Sequence, residues 1–365
     1  LTRSWDDFIF MILNYILLLK NLKLMKEVKS KKNNPIKKIF IKLCRLMGYE
    51  IIDQSNFYIP TSDKNINETL SKPGIRSINL PLGEVKITRN VRALDIIIRT
   101  CSSVNMLTQN KKRIFEKEKI DYTLRSINSI LKSINYAKNY HPKINIKITI
   151  VDHNSSDENL KKITDLLKNS SLDFKLINLN LNEFEKQIKT INEKNEKVTS
   201  NQISNMSNIY KSLLLSKMAE DLIYFVEDDY IHEIDSITEM LFTYERIASL
   251  TNKELVICPT DYPYLYVRAE NTKVFLGEKY HWRKIDETLC TFLTSKKIIE
   301  KYWDKFLSMC TFEHYPFETP LHEIYKDELC ISPIPSIAIH CTNMNSIYGL
   351  SPNKDWKRIW DENKV

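Results

Sequence analysis

Apolar and polar positions along the first two thirds of the chain alternate between two periods. Leu94–Ile98 (LDIII), Ile144–Val151 (INIKITIV), Phe174–Leu179 (FKLINL) and Leu222–Val226 (LIYFV) are short runs rich in β-branched and aromatic residues, of strand length. Between them the spacing is helical. Tyr122, Leu124, Ile127, Ile130, Leu131, Ile134 and Ala137 mark one stripe over residues 121–139, which His141-Pro142 interrupts. Glu158–Leu167 and Met206–Met218 repeat the pattern. Strands alternating with helices predict an α/β fold whose mixed, mainly parallel sheet is flanked by helices. Such sheets bind ligands at the carboxyl ends of their strands. Thr100, Asp152 and the run Glu227-Asp228-Asp229 all fall at such ends.

The flanking regions follow other patterns. Glu254–Cys258 and Thr288–Leu293 read as strands, Ser295–Phe306 as a helix, and Phe317–Tyr325 as a helix that opens on Glu318-Thr319-Pro320. Ile331–Ile339 carries Pro333 and Pro335, which makes it at best an edge strand, and it ends at His340. Asn343–Val365 is polar, with Trp356 and Trp360, and is expected to form a mobile tail or lid. Before the main pattern, Ile36–Met47 has helical spacing that Gly48 can end, and Ser77–Thr88 reads as a short hairpin. The expected division is a 1–90 extension, a 91–345 main domain and a 346–365 tail.

Composition narrows the chemistry. The 365 residues contain five glycines, none close enough to another to build a Gly-rich phosphate loop. A nucleotide bound here needs side chains or a metal. The seven cysteines are scattered, with no CxxC, which points to a reducing, cytoplasmic setting rather than a disulfide scaffold. The net charge of +8 is concentrated: residues 20–45 hold ten Lys/Arg and one acid, Glu27. The body of the chain is close to neutral, so a nucleic-acid surface is not expected. Phe8–Leu19 is apolar but too short to span a bilayer, and with the basic run behind it residues 8–45 could lie on an anionic membrane surface. A docking helix or a basic linker is the alternative.

The stretch LIYFVEDDYI, Leu222–Ile231, holds the sharpest signal. A buried strand running into three carboxylates stores repulsion unless a cation or solvent relieves it. Hard divalent ions on nucleotides use one or two carboxylates plus phosphate oxygens. In order and spacing the chain resembles the family 2-like glycosyltransferases of the GT-A fold over residues 93–345. The first strand ends as DIIIRT, with Arg99 where the family has proline. The second ends in Asp152-His153-Asn154-Ser155-Ser156-Asp157, with His153 and Asn154 departing from the family's Asp-Gly. The fourth strand ends in Glu227-Asp228-Asp229 in place of Asp-x-Asp.

That resemblance implies a Rossmann-like GT-A domain moving a sugar from a nucleotide-sugar donor, UDP-linked by preference, to a hydroxyl of a glycan or lipid-linked acceptor, with inversion. It implies Mn²⁺ or Mg²⁺ held by Asp229, with His340 as a second ligand. Thr100, Asp152, Glu227 and Asp228 would contact the nucleotide sugar. Glu318, or failing that Glu323, would take the acceptor's proton. The bland alternatives are an Asx turn for Asp152, a hydrogen-bonded strand-end histidine for His340, and surface acids for the two glutamates. Tyr262, Tyr264, Tyr266, Tyr280 and Trp282 could stack on an acceptor sugar, although aromatic stripes are more often core. The competing functions are a sugar-1-phosphate nucleotidyltransferase and a non-catalytic membrane-surface module.

Overall fold

A computed structural model describes residues 35–49, 77–80, 83–103, 113–170, 172–267, 271–342 and 346–365. The chain divides into two compact units, Leu1–Phe57 and Tyr58–Val365. The apolar run 8–19 and most of the basic run lie outside the described residues. In the first unit, helix α1 (Pro35–Leu46) ends at Gly48, whose φ of +85° suits glycine at a helix C-terminus. Ile36, Ile39, Phe40, Leu43 and Met47 form an exposed apolar stripe along it. No described helix is long and apolar enough to cross a membrane.

Among the described residues of the second unit, a hairpin comes first, β1 (Ser77–Leu80) and β2 (Gly83–Lys86). The elements β3 (Ala93–Thr100), α2 (Lys119–Tyr140), β4 (Asn145–Asp152), α3 (Asp157–Asn169), β5 (Phe174–Asn178), α4 (Ser200–Ser216) and β6 (Leu222–Glu227) then follow. This is the expected series, and the boundaries shift by a few residues. Ser156 and Thr199 each accept a hydrogen bond from a first-turn N–H and so set the starts of α3 and α4. Next come β7 (Tyr230–His232), α5 (Ser236–Thr251), β8 (Leu255–Ile257), β9 (Val274–Leu276), β10 (His281–Lys284) and β11 (Phe292–Ser295). The chain finishes with α6 (Lys296–Lys301), α7 (Trp303–Thr311), α8 (Thr319–Tyr325), β12 (Leu329–Ile334), β13 (Ala338–His340) and α9 (Trp356–Glu362).

The main sheet has the order β5-β4-β3-β6-β11-β8-β12-β10-β9. Only β10 and β11 run against the direction of the others. Both faces are covered, which is why the strands read as continuous apolar runs rather than as alternation. Leu94, Ile96, Ile98, Leu222, Tyr224 and Val226 enter one core with α2 and α5. Ile97, Ile223, Phe225 and Val256 enter the other, with Met206, Ile209 and Leu213 of α4.

Three expectations change. β12 is an interior strand between β8 and β10, despite Pro333. Its pairing with β8 stops at Ile331, so the missing N–H of Pro333 faces no partner strand on that side. The strand expected at Thr288–Leu293 is displaced to Phe292–Ser295. Residues 346–365 are not a loose tail. Trp360 is buried, its ring stacks on Phe115 at 3.9 Å, and the Arg125 guanidinium lies 4.1 Å from its centroid. Two tryptophans are too much apolar surface to leave in water.

At the amino end of the parallel strands, Arg89 bonds both oxygens of Asp221 and reaches Glu254. Charge at that end is consumed in ion pairs that hold strands together, which leaves the opposite end as the candidate site. The central packing is testable. Ile96→Ala, at a fully buried position of β3, should cost about 2–5 kcal/mol in urea denaturation. A loss below about 1 kcal/mol would mean β3 is not a core strand.

Candidate functional site

The carboxyl ends of β3 and β6 open into a cavity of about 510 Å³, lined by Thr100, Glu227, Asp228, Asp229, Glu318 and His340 among others. Strand register builds this wall. Arg99 sits opposite Glu227 in the parallel β3–β6 pair, and Thr100 opposite Asp152 in the β3–β4 pair. The small antiparallel pair β13–β7 sets His340 opposite Tyr230, where the two rings stack with centroids 4.5 Å apart. A bond from the Cys341 N–H to the Asp229 carbonyl, 2.9 Å, extends that pairing to the acid itself.

Each carboxylate at the strand end has a cation beside it. Arg99 Nη2 lies 3.0 Å from Glu227 Oε1, Lys119 Nζ 2.5 Å from Asp228 Oδ1, and Arg113 Nη1 2.8 Å from Asp229 Oδ2. Asp228 also accepts from Thr123 Oγ1 at 2.8 Å and from the Cys101 N–H at 3.3 Å. Asp229 Oδ1 faces His340 Nε2 across 3.6 Å. Burial alone would raise the Asp229 pKa, but Lys119, His340 and Arg113 hold it well below the usual carboxylate range. Burial likewise opposes a charge on His340, and Asp229 more than offsets it, so the imidazole titrates above its ordinary value.

The donor atoms suit a divalent cation in part. His340 Nδ1 is 2.6 Å from the Tyr348 carbonyl, to which it donates, leaving Nε2 as the ligating nitrogen of a neutral ring. Asp229 Oδ1 and His340 Nε2 are therefore one oxygen and one nitrogen donor facing each other. Among the described residues no three His, Cys, Asp or Glu side chains form a ready metal cluster. An ion held here would complete its shell with water and ligand oxygens, as Mg²⁺ and Mn²⁺ do on nucleotides.

Other candidates separate. Asp152 is buried and does not line the cavity. It accepts from Thr100 Oγ1 at 2.6 Å, from Ser155 Oγ at 2.7 Å and from the Ser155 N–H at 3.2 Å, so its oxygens close its own turn onto the backbone three residues on. It orients Thr100 rather than facing the cleft. Glu323 lies on the surface in an ion pair with Lys305 at 3.2 Å, outside the cavity, because one further turn of α8 carries it to the outer face. Glu318, the residue before α8, does line the cavity. Burial, and secondarily the charge of Glu227, push its carboxyl from the ordinary 4.5 up to about 7. Tyr262, Tyr264 and Trp282 are core residues, and none of the five expected aromatics lines the cavity; Tyr315, Phe317 and Tyr348 do. Arg113 and Lys119 carried no distinguishing signal in a sequence with 54 Lys and Arg.

No protein-family model matches the chain, and no curated protein matches it. Among solved structures it is similar to S. aureus TarS, at 12% identity over 66% of this chain, with a TM-score of 0.36; it spans 57% of that chain's length. It is also similar to galactosyltransferase LgtC in complex with donor and acceptor sugar analogues, at 12% identity, 74% of this chain, 94% of that one and a TM-score of 0.33. A third is mouse xyloside xylosyltransferase 1 in its apo form, at 10% identity, 64% of this chain, 76% of that one and a TM-score of 0.34.

The raised Glu318 carboxyl has a consequence for stability. Between the ordinary carboxylate pKa and about 7, the unfolded chain ionises this group while the folded chain keeps it protonated. Folding therefore loses stability as pH rises through that window. Glu318→Gln removes the penalty, so its gain in Tm over the native protein should be larger at pH 8 than at pH 5, by up to about 3 kcal/mol in free energy. Equal gains at both values would show that the carboxyl is not raised.

Proposed function

We propose that the chain is a glycosyltransferase that moves a sugar from a nucleotide-sugar donor, UDP-linked by preference, to a hydroxyl of a glycan or lipid-linked acceptor. The observation that carries the reading is the pairing of two features in one cavity: a charge-balanced acidic strand end and a separate carboxyl raised to about 7. The first suits a diphosphate leaving group. The second suits a general base working near neutral pH.

In this reading Thr100 and Glu227 contact the nucleotide sugar, with Asp152 behind Thr100 and Arg99 beside Glu227. Asp229 and His340 would hold Mn²⁺ or Mg²⁺, which would supply positive charge to the leaving diphosphate. Ionised Glu318 takes the acceptor hydroxyl's proton as that oxygen bonds to the anomeric carbon. The bond from that carbon to the phosphate oxygen breaks in line, so configuration inverts and nucleoside diphosphate departs. Tyr315 and Tyr348 line the same cavity and would contact the acceptor. A cytoplasmic setting is supported by seven cysteines, none in a disulfide. Contact with an anionic membrane surface through residues 8–45 is supported by the basic run and the exposed stripe of α1.

The test is a screen of nucleotide sugars and acceptors that identifies the released product. Nucleoside diphosphate is expected, whereas pyrophosphate formation would indicate nucleotidyl transfer. With an active pair in hand, Glu318→Gln should lower kcat by about 10²–10⁴ with little change in donor KM. The native kcat should rise with pH through about 7. An unchanged kcat in Glu318→Gln would remove Glu318 as the base.

A further inference from the structure

The strand end is neutral before any ligand arrives. Arg99, Lys119 and Arg113 match Glu227, Asp228 and Asp229 one for one, and all six side chains line the cavity. The repulsion that three adjacent acids would exert on a diphosphate is thus met by fixed side-chain cations. Two of these cations converge. Lys119 Nζ touches Asp228 Oδ1 and lies 3.7 Å from Asp229 Oδ2, the oxygen that Arg113 also holds. Both side chains are nearly buried, where N–H···O bonds to a charged ligand are stronger than in water.

Lys119 can also be shared with a ligand. An ammonium has three N–H donors, and this one lies against two carboxylate oxygens. Asp228 keeps Thr123 Oγ1 and the Cys101 N–H if Lys119 turns toward a phosphate, so the movement does not strand a bare buried charge. Asp229 likewise keeps His340 on its other oxygen.

We propose that Arg113 and Lys119 form a diphosphate-binding pair that holds a nucleoside diphosphate without a divalent ion, so that a metal at Asp229 strengthens binding rather than creating it. The proposal rests on the nucleotide-sugar reading above and adds the residues that would carry binding in the absence of metal.

The experiment is isothermal titration of the full chain with UDP, GDP, ADP and CDP, in EDTA and in Mn²⁺. At least one diphosphate should bind in EDTA, within about tenfold of its affinity in Mn²⁺. Inorganic pyrophosphate should displace it. Lys119→Met and Arg113→Met should each weaken the EDTA binding about tenfold or more, the loss of one charge-assisted hydrogen bond, and Lys119→Arg should restore most of it. Binding in Mn²⁺ but not in EDTA overturns the pair and leaves the nucleotide-sugar reading standing. Failure of pyrophosphate to compete in EDTA overturns the pair even where a methionine variant does not fold. Native-like EDTA binding in both methionine variants overturns it as well. No diphosphate binding in either buffer overturns both readings.

Discussion

Carboxylates cannot be crowded at the end of a buried strand unless positive charge is crowded there with them. Here that charge comes from three separate places: Arg99 at the end of β3, Arg113 before α2, and Lys119 at the start of α2. Meeting it ties the strand end of β6 to its neighbouring strand and to the helix above it. The same ties shape the cavity, because the paired side chains are its lining. The site and its scaffold are therefore one electrostatic arrangement.

The sheet makes this possible by burying both its faces. Alternate residues of β3 and β6 feed two different cores, so neither strand can slide by one residue without exchanging them. Register then decides which side chains meet at the ends. It sets Arg99 beside Glu227 and Thr100 beside Asp152, and the small β7–β13 pair sets His340 close to Asp229. The far end of the sheet spends its charges differently, in the structural bonds of Arg89 to Asp221 and Glu254.

Much of this was legible in the residue pattern, and the exceptions have physical causes. Both periods along the first half located β3 to β6 and the helices between them, since two-sided burial and a helical stripe leave strong local signals. Pro333 of β12 misled, because whether a missing N–H matters depends on how far the neighbouring strand extends. The aromatic run around Tyr262 misled because stripe composition cannot distinguish a core from a sugar platform. At the site, strand-end acids and His340 stood out by position. Asp152 also stood out by position, yet its oxygens are taken by Thr100 and Ser155. Arg113 and Lys119 were invisible. Their meaning comes from which acids they reach across the fold, and a lysine-rich chain gives no local reason to single them out.

The central claim is that the charged end of β3 and β6 is where a nucleotide sugar binds. Hydrogen–deuterium exchange with a bound nucleoside diphosphate and Mn²⁺ tests it most directly, because it reports location without presuming turnover. The account predicts slowed exchange in peptides covering 97–103, 113–123, 227–232 and 338–342, with the amino ends of the same strands unchanged. Protection confined to other segments, with those four untouched, would contradict it.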